Sequence, residues 1–453
     1  MIDKKTLLLV YPANQLRAGF LINRDTKFQP LALGILAALT PPDWKIKLID
    51  ENFRTFNYYK ADLVAITGFT ATITRAYQIA DIYKEKNIPV VMGGIHVSMC
   101  PDEALQHAHT IVTGEAETIW PQLIEDFLKG QLKHRYEGAL EQTIRSPKPR
   151  RDLFHPAYIF ASIQTSRGCP MDCSFCSVTA FNGRHYRFRP IEDVLDELEE
   201  TPQPYVFFLD DNIIGYNSEA RERAKKLFQG IIDRGIKKLW ISQASINFAD
   251  DDEVLELAAK SGCKMIFLGI ETEGLEQLQE AGKKLNIKRG VSSFNDTFRK
   301  IQKHGISVIA GFIFGWDTDD EKSIMNRVRY IRACEADAIQ TSILTPLPGT
   351  RMWTKFETDN RLRLKNFPED WQHYDYSDMT FYANKLTPEE FYPIMIRAFK
   401  RIYSFPIMIK RFIRTLIRTK SILVAIWSFR SNYNYRRMTF SSMKIKDYKR
   451  HKY

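Results

Sequence analysis

Three of the six cysteines in this 453-residue chain fall within eight positions, in the run Thr165-Ser166-Arg167-Gly168-Cys169-Pro170-Met171-Asp172-Cys173-Ser174-Phe175-Cys176. Thiolates so spaced on one loop can wrap three irons of a cubane iron–sulfur cluster and leave the fourth iron open to a small molecule. Zinc is the competing reading, because Cys-x-x-Cys pairs also bind it, but zinc ribbons use two separated pairs. Cys263 and Cys334 stand alone and read as core residues. Cys100 is the single cysteine of the N-terminal region, too few for a second cluster there. Six cysteines are also too few for a disulfide scaffold, so metal binding in a reducing compartment, the cytoplasm, is expected.

The elements around the cysteine loop can be read from periodicity. A composition of 44% hydrophobic and 26% charged residues is that of an ordinary globular protein. Its length calls for about two or three domains. The apolar run Leu7-Leu8-Leu9-Val10 is too short for a signal peptide and reads as a first buried strand. From residue 6 to about 128, short apolar runs alternate with helical stretches, the pattern of a doubly wound parallel sheet. Its strands are expected at Thr6–Val10, Lys45–Ile49, Leu63–Thr67, Val90–Met92 and Thr110–Val112, with a helix over Thr74–Lys86. Residues 131–160 read as an irregular linker, centred on Ser146-Pro147-Lys148-Pro149-Arg150-Arg151. A second βα series then spans 161–351, with strands at Ser162–Thr165, Tyr205–Leu209, Lys238–Ser242, Met265–Gly269, Ser307–Phe314 and Ala338–Leu344. Six strands suggest a partial (β/α)6 barrel of TIM type, whose chemistry sits on the loops after the strands. Residues 352–403 read as a helical subdomain and 404–453 as a basic tail.

With Cys-x-x-x-Cys-x-Phe-Cys after the first strand of a partial barrel, the chain resembles the radical S-adenosylmethionine (SAM) superfamily. The resemblance implies that Cys169, Cys173 and Cys176 bind a [4Fe-4S] cluster, that SAM chelates the fourth iron, and that electron transfer cleaves it to methionine and a 5′-deoxyadenosyl radical. It implies a reductant such as ferredoxin or flavodoxin, and it places Phe175 beside the cofactor. Gly269-Ile270-Glu271-Thr272 is similar to the cofactor-contacting segment after the family's fourth strand, with Glu271 as the polar contact. Gly311-Phe312-Ile313-Phe314-Gly315 resembles the fifth-strand motif beside the adenine, which brings in Gly311 and Gly315. Pro346-Leu347-Pro348-Gly349-Thr350 resembles a sixth-strand ending. Asp210 and Asp211, after the second strand, could meet the cofactor's ammonium. Each has a plainer reading: a glycine can serve close packing, and Asp-Asp-Asn can cap a helix.

The N-terminal region, with Gly93-Gly94-Ile95-His96 and Val112-Thr113-Gly114-Glu115-Ala116-Glu117, resembles the Rossmann-like cobalamin-binding domain of the class B methylase branch. Thr67, Gly68, Thr70, Gly93, Gly94, His96, Gly114 and Glu115 are the implied cobalamin contacts. The family's Asp-x-His-x-x-Gly is missing, since His96 is the first histidine of the chain. Cobalamin would therefore bind without a lower histidine ligand, with His96 a loop contact only; the alternative is a domain that has lost cobalamin and acts as a scaffold. The resemblance implies a cobalamin-dependent methyltransferase acting on an unactivated carbon of a small, hydrophobic substrate such as a lipid or tetrapyrrole. Non-methylating rearrangement, cyclisation or carbon–carbon coupling is the first alternative. RNA modification and a non-catalytic cluster protein are the others.

The charge lies in the tail. From Arg401 to Tyr453 there are fourteen Lys and Arg against the single Asp447, so this segment carries +13 while the whole chain carries +11. From Ile409, the residues Ile409, Phe412, Ile413, Leu416, Leu423 and Trp427 fall on one helical face, and Lys410, Arg411, Arg414 and Arg418 on the other, with Lys420 the exception. Such a helix suits the surface of an anionic membrane. Its longest apolar stretch, Ile422–Phe429, falls far short of the ~20 residues of a span. The alternatives are packing on the barrel with the basic side solvated, or an RNA-binding tail using Tyr433, Tyr435 and Tyr448. Nucleic acid is not the expected partner.

Overall fold

The computed structural model describes residues 4–16 and 27–450 and the side chains as far as Ser441; Tyr448 lies outside the described side chains. Leu7, Leu8, Leu9 and Val10 are all fully buried, as befits a strand covered on both faces. They form β1 (Thr6–Tyr11), an inner strand of a six-stranded parallel sheet with β2 (Lys45–Asp50), β3 (Leu63–Thr67), β4 (Val90–Gly93), β5 (Thr110–Gly114) and β6 (Arg135–Gly138). The order is β2-β1-β3-β4-β5-β6, so the winding reverses between β1 and β3. At such a switch point the loops diverge and leave a crevice beyond the carboxyl ends of the strands. The helix expected at Thr74–Lys86 runs over Ile73–Lys84.

Strand β6 lies in the stretch expected to be an irregular linker. Its four residues carry no apolar run, and they are held by pairing with β5, Ile111 opposite Arg135 through Gly114 opposite Gly138. The edge of an existing sheet supplied the hydrogen bonds that local sequence did not announce.

The second sheet comprises β7 (Phe160–Ile163), β8 (Tyr205–Phe208), β9 (Leu239–Ala244), β10 (Cys263–Glu271), β11 (Ser307–Phe314) and β12 (Ala338–Ile343). Each pairs in parallel with the next, so the order follows the sequence, and β7 and β12 remain the two edges of an open barrel. Its core includes Ile163, Val206, Phe208, Ile266, Leu268, Val308 and Ile339, all essentially inaccessible. Residues 352–403 add an aromatic cluster in which Trp371 stacks on Phe367 at 3.7 Å and meets Trp353 at 5.3 Å. This cluster packs against the first domain: Trp371 lies edge-on to His96, and Thr74 donates to the Pro368 carbonyl at 2.6 Å.

The basic tail forms a helical hairpin, Phe405–Thr419 and Ile422–Arg450, turned at Lys420 in the left-handed conformation. Phe412 meets Phe429 at 6.0 Å, and Arg436 covers the Phe405 ring at 4.8 Å, so the helices run antiparallel. The hairpin corrects the expected faces. Arg411 is buried and donates to the carbonyls of Ile331 and Ile402; Arg414 donates to those of Cys334 and Ala336; Arg418 reaches Gln302 and Glu335. Ile409, Ile413 and Ile417 point outward, while Phe412, Leu416 and Trp427 are partly buried. The helix ends at Ile331 and Ile402 and the loop before β12 present carbonyls that need donors, which guanidinium groups supply and isoleucines cannot. Among the described residues no helix is long and apolar enough to cross a membrane.

Candidate functional site

The cysteine loop leaves β7 and is fastened at both ends. Asp210, fully buried after β8, accepts from the Thr165 and Ser166 backbone N–H groups at 2.6 and 3.2 Å and from their hydroxyls at 2.5 and 2.9 Å. All the described bonds of this carboxylate go to the loop's root, which makes it a clamp rather than a ligand contact and corrects the role expected for it. Ser166–Arg167 pairs antiparallel with Arg187–Phe188. Gly168 turns at φ +91°, where a Cβ would stand 2.2 Å from the His185 carbonyl. Farther on, Ser174 donates to the carbonyls of Ala281 and Glu280 at 3.1 and 2.9 Å. Arg184 and Arg351 hold Asp172 at 2.7 and 3.2 Å.

Cys169, Cys173 and Cys176 are free and half-buried. Burial pushes the Cys169 thiol up to about 11 and Cys176 to about 12, and raises Cys173, while Lys283 pulls all three the other way. Cys173 interacts electrostatically with both other thiols, so the three share one neighbourhood. Among the described residues no three His, Cys, Asp or Glu side chains converge on a point for a single ion. A cubane spreads its thiolate ligands over separate irons, which is what three thiols on one loop can serve.

Around the thiols stand Asp211, Glu271, Lys283 and several aromatic rings. Burial lifts the Asp211 carboxyl to about 6, and Asn182 donates to it at 3.3 Å. Glu271 sits at a bulge in β10 with φ +66°, and Lys283 pairs with it at 2.7 Å. Burial opposes charge on Lys283, but Glu271 and the Cys173 thiolate outweigh it and keep the ammonium protonated. Sequence reasoning missed Lys283; it is one of two adjacent lysines in the Gly282-Lys283-Lys284 turn, indistinguishable from a surface charge. A Cβ at Gly269 would lie 2.5 Å from Glu271 Oε1, so a side chain there would displace the Glu271 carboxylate. Phe175 packs edge-on against Trp316 at 5.8 Å. Gly311 receives the Phe267 ring, which a Cβ would meet at 2.5 Å, so its role is packing. Gly315 turns at φ +91° and donates to Asp319, which Arg327 grips at 2.8 and 2.9 Å.

The loops of the first sheet divide into spent and open residues. Thr70 and Glu103 take the two ring nitrogens of His96, at 3.2 and 3.3 Å, and the ring is fully buried. His96 is therefore closed to a ligand, as is the buried Thr70, which corrects the loop contacts expected of both. Thr67, Gly68, Gly93 and Gly94 form one tight crossing, with the Gly68 N–H on the Gly93 carbonyl and Gly94 at φ +103°. At the same crevice Phe69 exposes half its ring, an aromatic face that sequence reasoning passed over. Gly114 turns at φ +73° into Glu115, which is also buried and spoken for: Arg167 pairs with it at 3.0 Å, and Arg187 donates to its other oxygen. Glu117 accepts from Arg167 and from Ser146. The loop after β5 thus grips the residue that precedes Gly168 and Cys169. The strand-end loops of the two sheets meet there.

Comparison with known proteins agrees with this geometry. Residues 163–331 match the Radical SAM superfamily, and residues 19–124 match the B12 binding domain. The bacteriochlorophyllide d C-12(1)-methyltransferase of Chlorobaculum tepidum is 29% identical over 433 residues, 90% of each chain. The C-8(2)-methyltransferase of the same organism is 27% identical, over 89% of this chain and 92% of its own. The hopanoid C-2 methylase of Rhodopseudomonas palustris is 29% identical over 74% of this chain and 65% of its own. Among solved structures, OxsB with aqua-cobalamin and S-adenosylmethionine matches 96% of this chain and 72% of its own, with a TM-score of 0.68 at 16% identity. TsrM from Kitasatospora setae, with tryptophan and a SAM analogue, matches 79% and 76% with a TM-score of 0.64 at 19% identity.

A radical SAM domain is thus joined to a B12-binding domain in a single chain. This is the domain pair of cobalamin-dependent radical SAM enzymes, and the cofactors it takes are a [4Fe-4S] cluster, SAM and cobalamin.

Proposed function

We propose that this enzyme methylates an unactivated carbon of a hydrophobic polycyclic molecule of the tetrapyrrole or hopanoid class. One observation carries the reading: Glu115 and Glu117 hold Arg167, so the ligand-side loops of the B12-binding sheet abut the root of the cysteine loop. End-to-end similarity to a bacteriochlorophyllide methyltransferase supports the substrate class.

In this reading Cys169, Cys173 and Cys176 hold the cluster, with Phe175, Asp211, Glu271 and Gly315 lining the SAM side. Gly68, Phe69, Gly93, Gly94 and Gly114 border the cobalamin crevice. When bound, the cluster and SAM supply the hydrogen-abstracting radical, and cobalamin supplies the methyl group. The protein's own part is placement and exclusion of water. Asp210 fixes the loop, Lys283 sets positive charge beside the thiolates, and Phe175 with Trp316 closes one wall in hydrocarbon. Ferredoxin or flavodoxin would supply electrons, and the chain would work in the cytoplasm, in peripheral contact with an anionic membrane.

The test is stoichiometry with bacteriochlorophyllide d as probe under strong reductant. Methyl transfer requires one S-adenosylhomocysteine and one 5′-deoxyadenosine per methylated product; product without S-adenosylhomocysteine would establish non-methylating chemistry instead. With His96 enclosed, cobalamin bound to the protein should show a base-off visible spectrum. A spectrum of histidine-ligated cobalamin would refute that assignment.

A further inference from the structure

The hairpin leaves an unusual surface. Phe405, Ile409, Ile413 and Ile417 follow one another at four-residue steps along the first helix, and Ile422 and Ile426 continue the pattern on the second. Ile409 and Ile413 are each 50% exposed and Ile417 69%, on helices otherwise well packed. Contiguous exposed aliphatic side chains mark an interaction site more often than chance exposure does. Three kinds of occupant could cover them: more of the same chain, another protein, or lipid.

Charge decides among these. From Phe405 to Ser441 there is no acidic residue. The exposed charges beside the stripe are Lys410, Lys420, Arg430 and Arg437, with Lys400 and Arg401 at its near end. Along the second helix Ile422 and Ile426 give way to Arg430 and then Tyr433 on the same side, an aliphatic patch bordered by cation and phenol. A second copy would set one cationic rim against another. An anionic bilayer offers hydrocarbon to the isoleucines and phosphates to the rim, with each basic group near such a surface contributing ~1 kcal/mol.

We infer that the outward aliphatic stripe of this hairpin, and not the arginine-bearing face, is a monotopic docking surface for anionic lipid. The inference rests on the peripheral-membrane reading above and fixes the face and orientation it uses. Arg411, Arg414 and Arg418 are withdrawn from this role, because they bind the barrel. The hairpin lies at the amino-terminal end of the strands: Trp427 rests on Phe160 and Tyr205, the first residues of β7 and β8, and Asn432 bridges Asp337 and Ile339 at the start of β12. The cysteine loop leaves the opposite end of β7. A docked chain therefore holds its cluster loop away from the bilayer, open to a soluble electron donor.

The experiment is co-sedimentation of the full chain with phosphatidylglycerol vesicles and with phosphatidylcholine vesicles. Wild type is compared with I409S/I413S/I417S, K410Q/K420Q and R411M. Wild type should bind the anionic vesicles in a salt-sensitive way. The triple serine variant should lose at least about tenfold in affinity, the double glutamine variant less, and R411M almost none. Thermal unfolding and 5′-deoxyadenosine formation should match wild type in the serine variant, showing that only docking was lost. Loss in R411M with full binding by the serine variant would overturn the inference while leaving the membrane reading intact. Absence of wild-type binding would overturn both. Concentration-dependent dimerisation abolished by the serine substitutions, in sedimentation velocity without vesicles, would assign the stripe to a second copy and overturn it as well.

Discussion

At the end of the barrel that carries the cysteines, Arg167 and Arg187 are buried against Glu115 and Glu117 of the neighbouring domain. At the other end, the buried Arg411 and the half-buried Arg414 donate to backbone carbonyls, and the Asp337 carboxylate acts on Arg411 only as one of the weaker electrostatic influences. The electrostatic consequences differ in sign. Burial opposes the charge of Arg167, but Glu117 and Glu115 more than offset it and raise its pKa; for Arg411 burial dominates and lowers it. The carboxylate pairs join two domains and orient a loop. The carbonyl contacts cap helix ends and a loop and, in doing so, turn a row of isoleucines toward solvent. Burying an arginine therefore says little about its purpose until its partners are known.

Breaking the thiol set should give the largest effect. Anaerobically reconstituted protein should carry about four irons per chain. Cys173→Ala should lower this to near zero and abolish 5′-deoxyadenosine formation, while vesicle binding at the other end of the barrel persists. Retained iron and cleavage would remove Cys173 from the ligand set.

The next effect should come from Arg167→Met, which leaves Glu115 and Glu117 buried without their shared partner. A loss of about 3–5 kcal/mol in urea unfolding is expected, together with incomplete cluster incorporation. Arg411→Met tests the contrast. It strands carbonyls but also removes an unneutralised buried charge, so a loss of only about 1 kcal/mol is expected. Equal losses in the two variants would mean that the carboxylates contribute nothing specific. The smallest effect belongs to Ile417→Ser, which should change stability by no more than about 0.5 kcal/mol, although it lies in the same hairpin. A larger loss would show that the outward isoleucines are packed in solution.

The two ends of the barrel were unequally legible. At the cysteine end, three residues of one metal-binding type stand close in sequence, and strand periodicity around them is strong. Even so, Asp210 became a clamp, Gly311 a seat for Phe267, and Glu115 an interdomain ion pair, because a polar or small residue at a strand end has several possible partners and sequence names none of them. Lys283 was invisible for the same reason. In the hairpin, periodicity grouped Ile409 and Ile413 with Phe412 and Leu416, and Lys410 with Arg411, whereas the fold turns Ile409, Ile413 and Lys410 outward and buries Arg411. Strand β6 was missed because its stability comes from a neighbour rather than from its own apolar content.

The sequence by itself determined the two βα series, the cysteine loop and its metal chemistry, and the concentration of positive charge in the tail. These are local properties, set by period, spacing and ligand type within a few residues. Only the tertiary structure decided how His96 is enclosed, which carboxylates hold Arg167, and which side of the hairpin meets solvent. Those outcomes depend on which unsatisfied carbonyls, carboxylates and rings lie across the fold, from 50 to more than 250 residues away in the chain for Glu117 with Arg167 and for His96 with Trp371. A buried donor is satisfied by what is near in space, and proximity of that kind is a product of the completed fold.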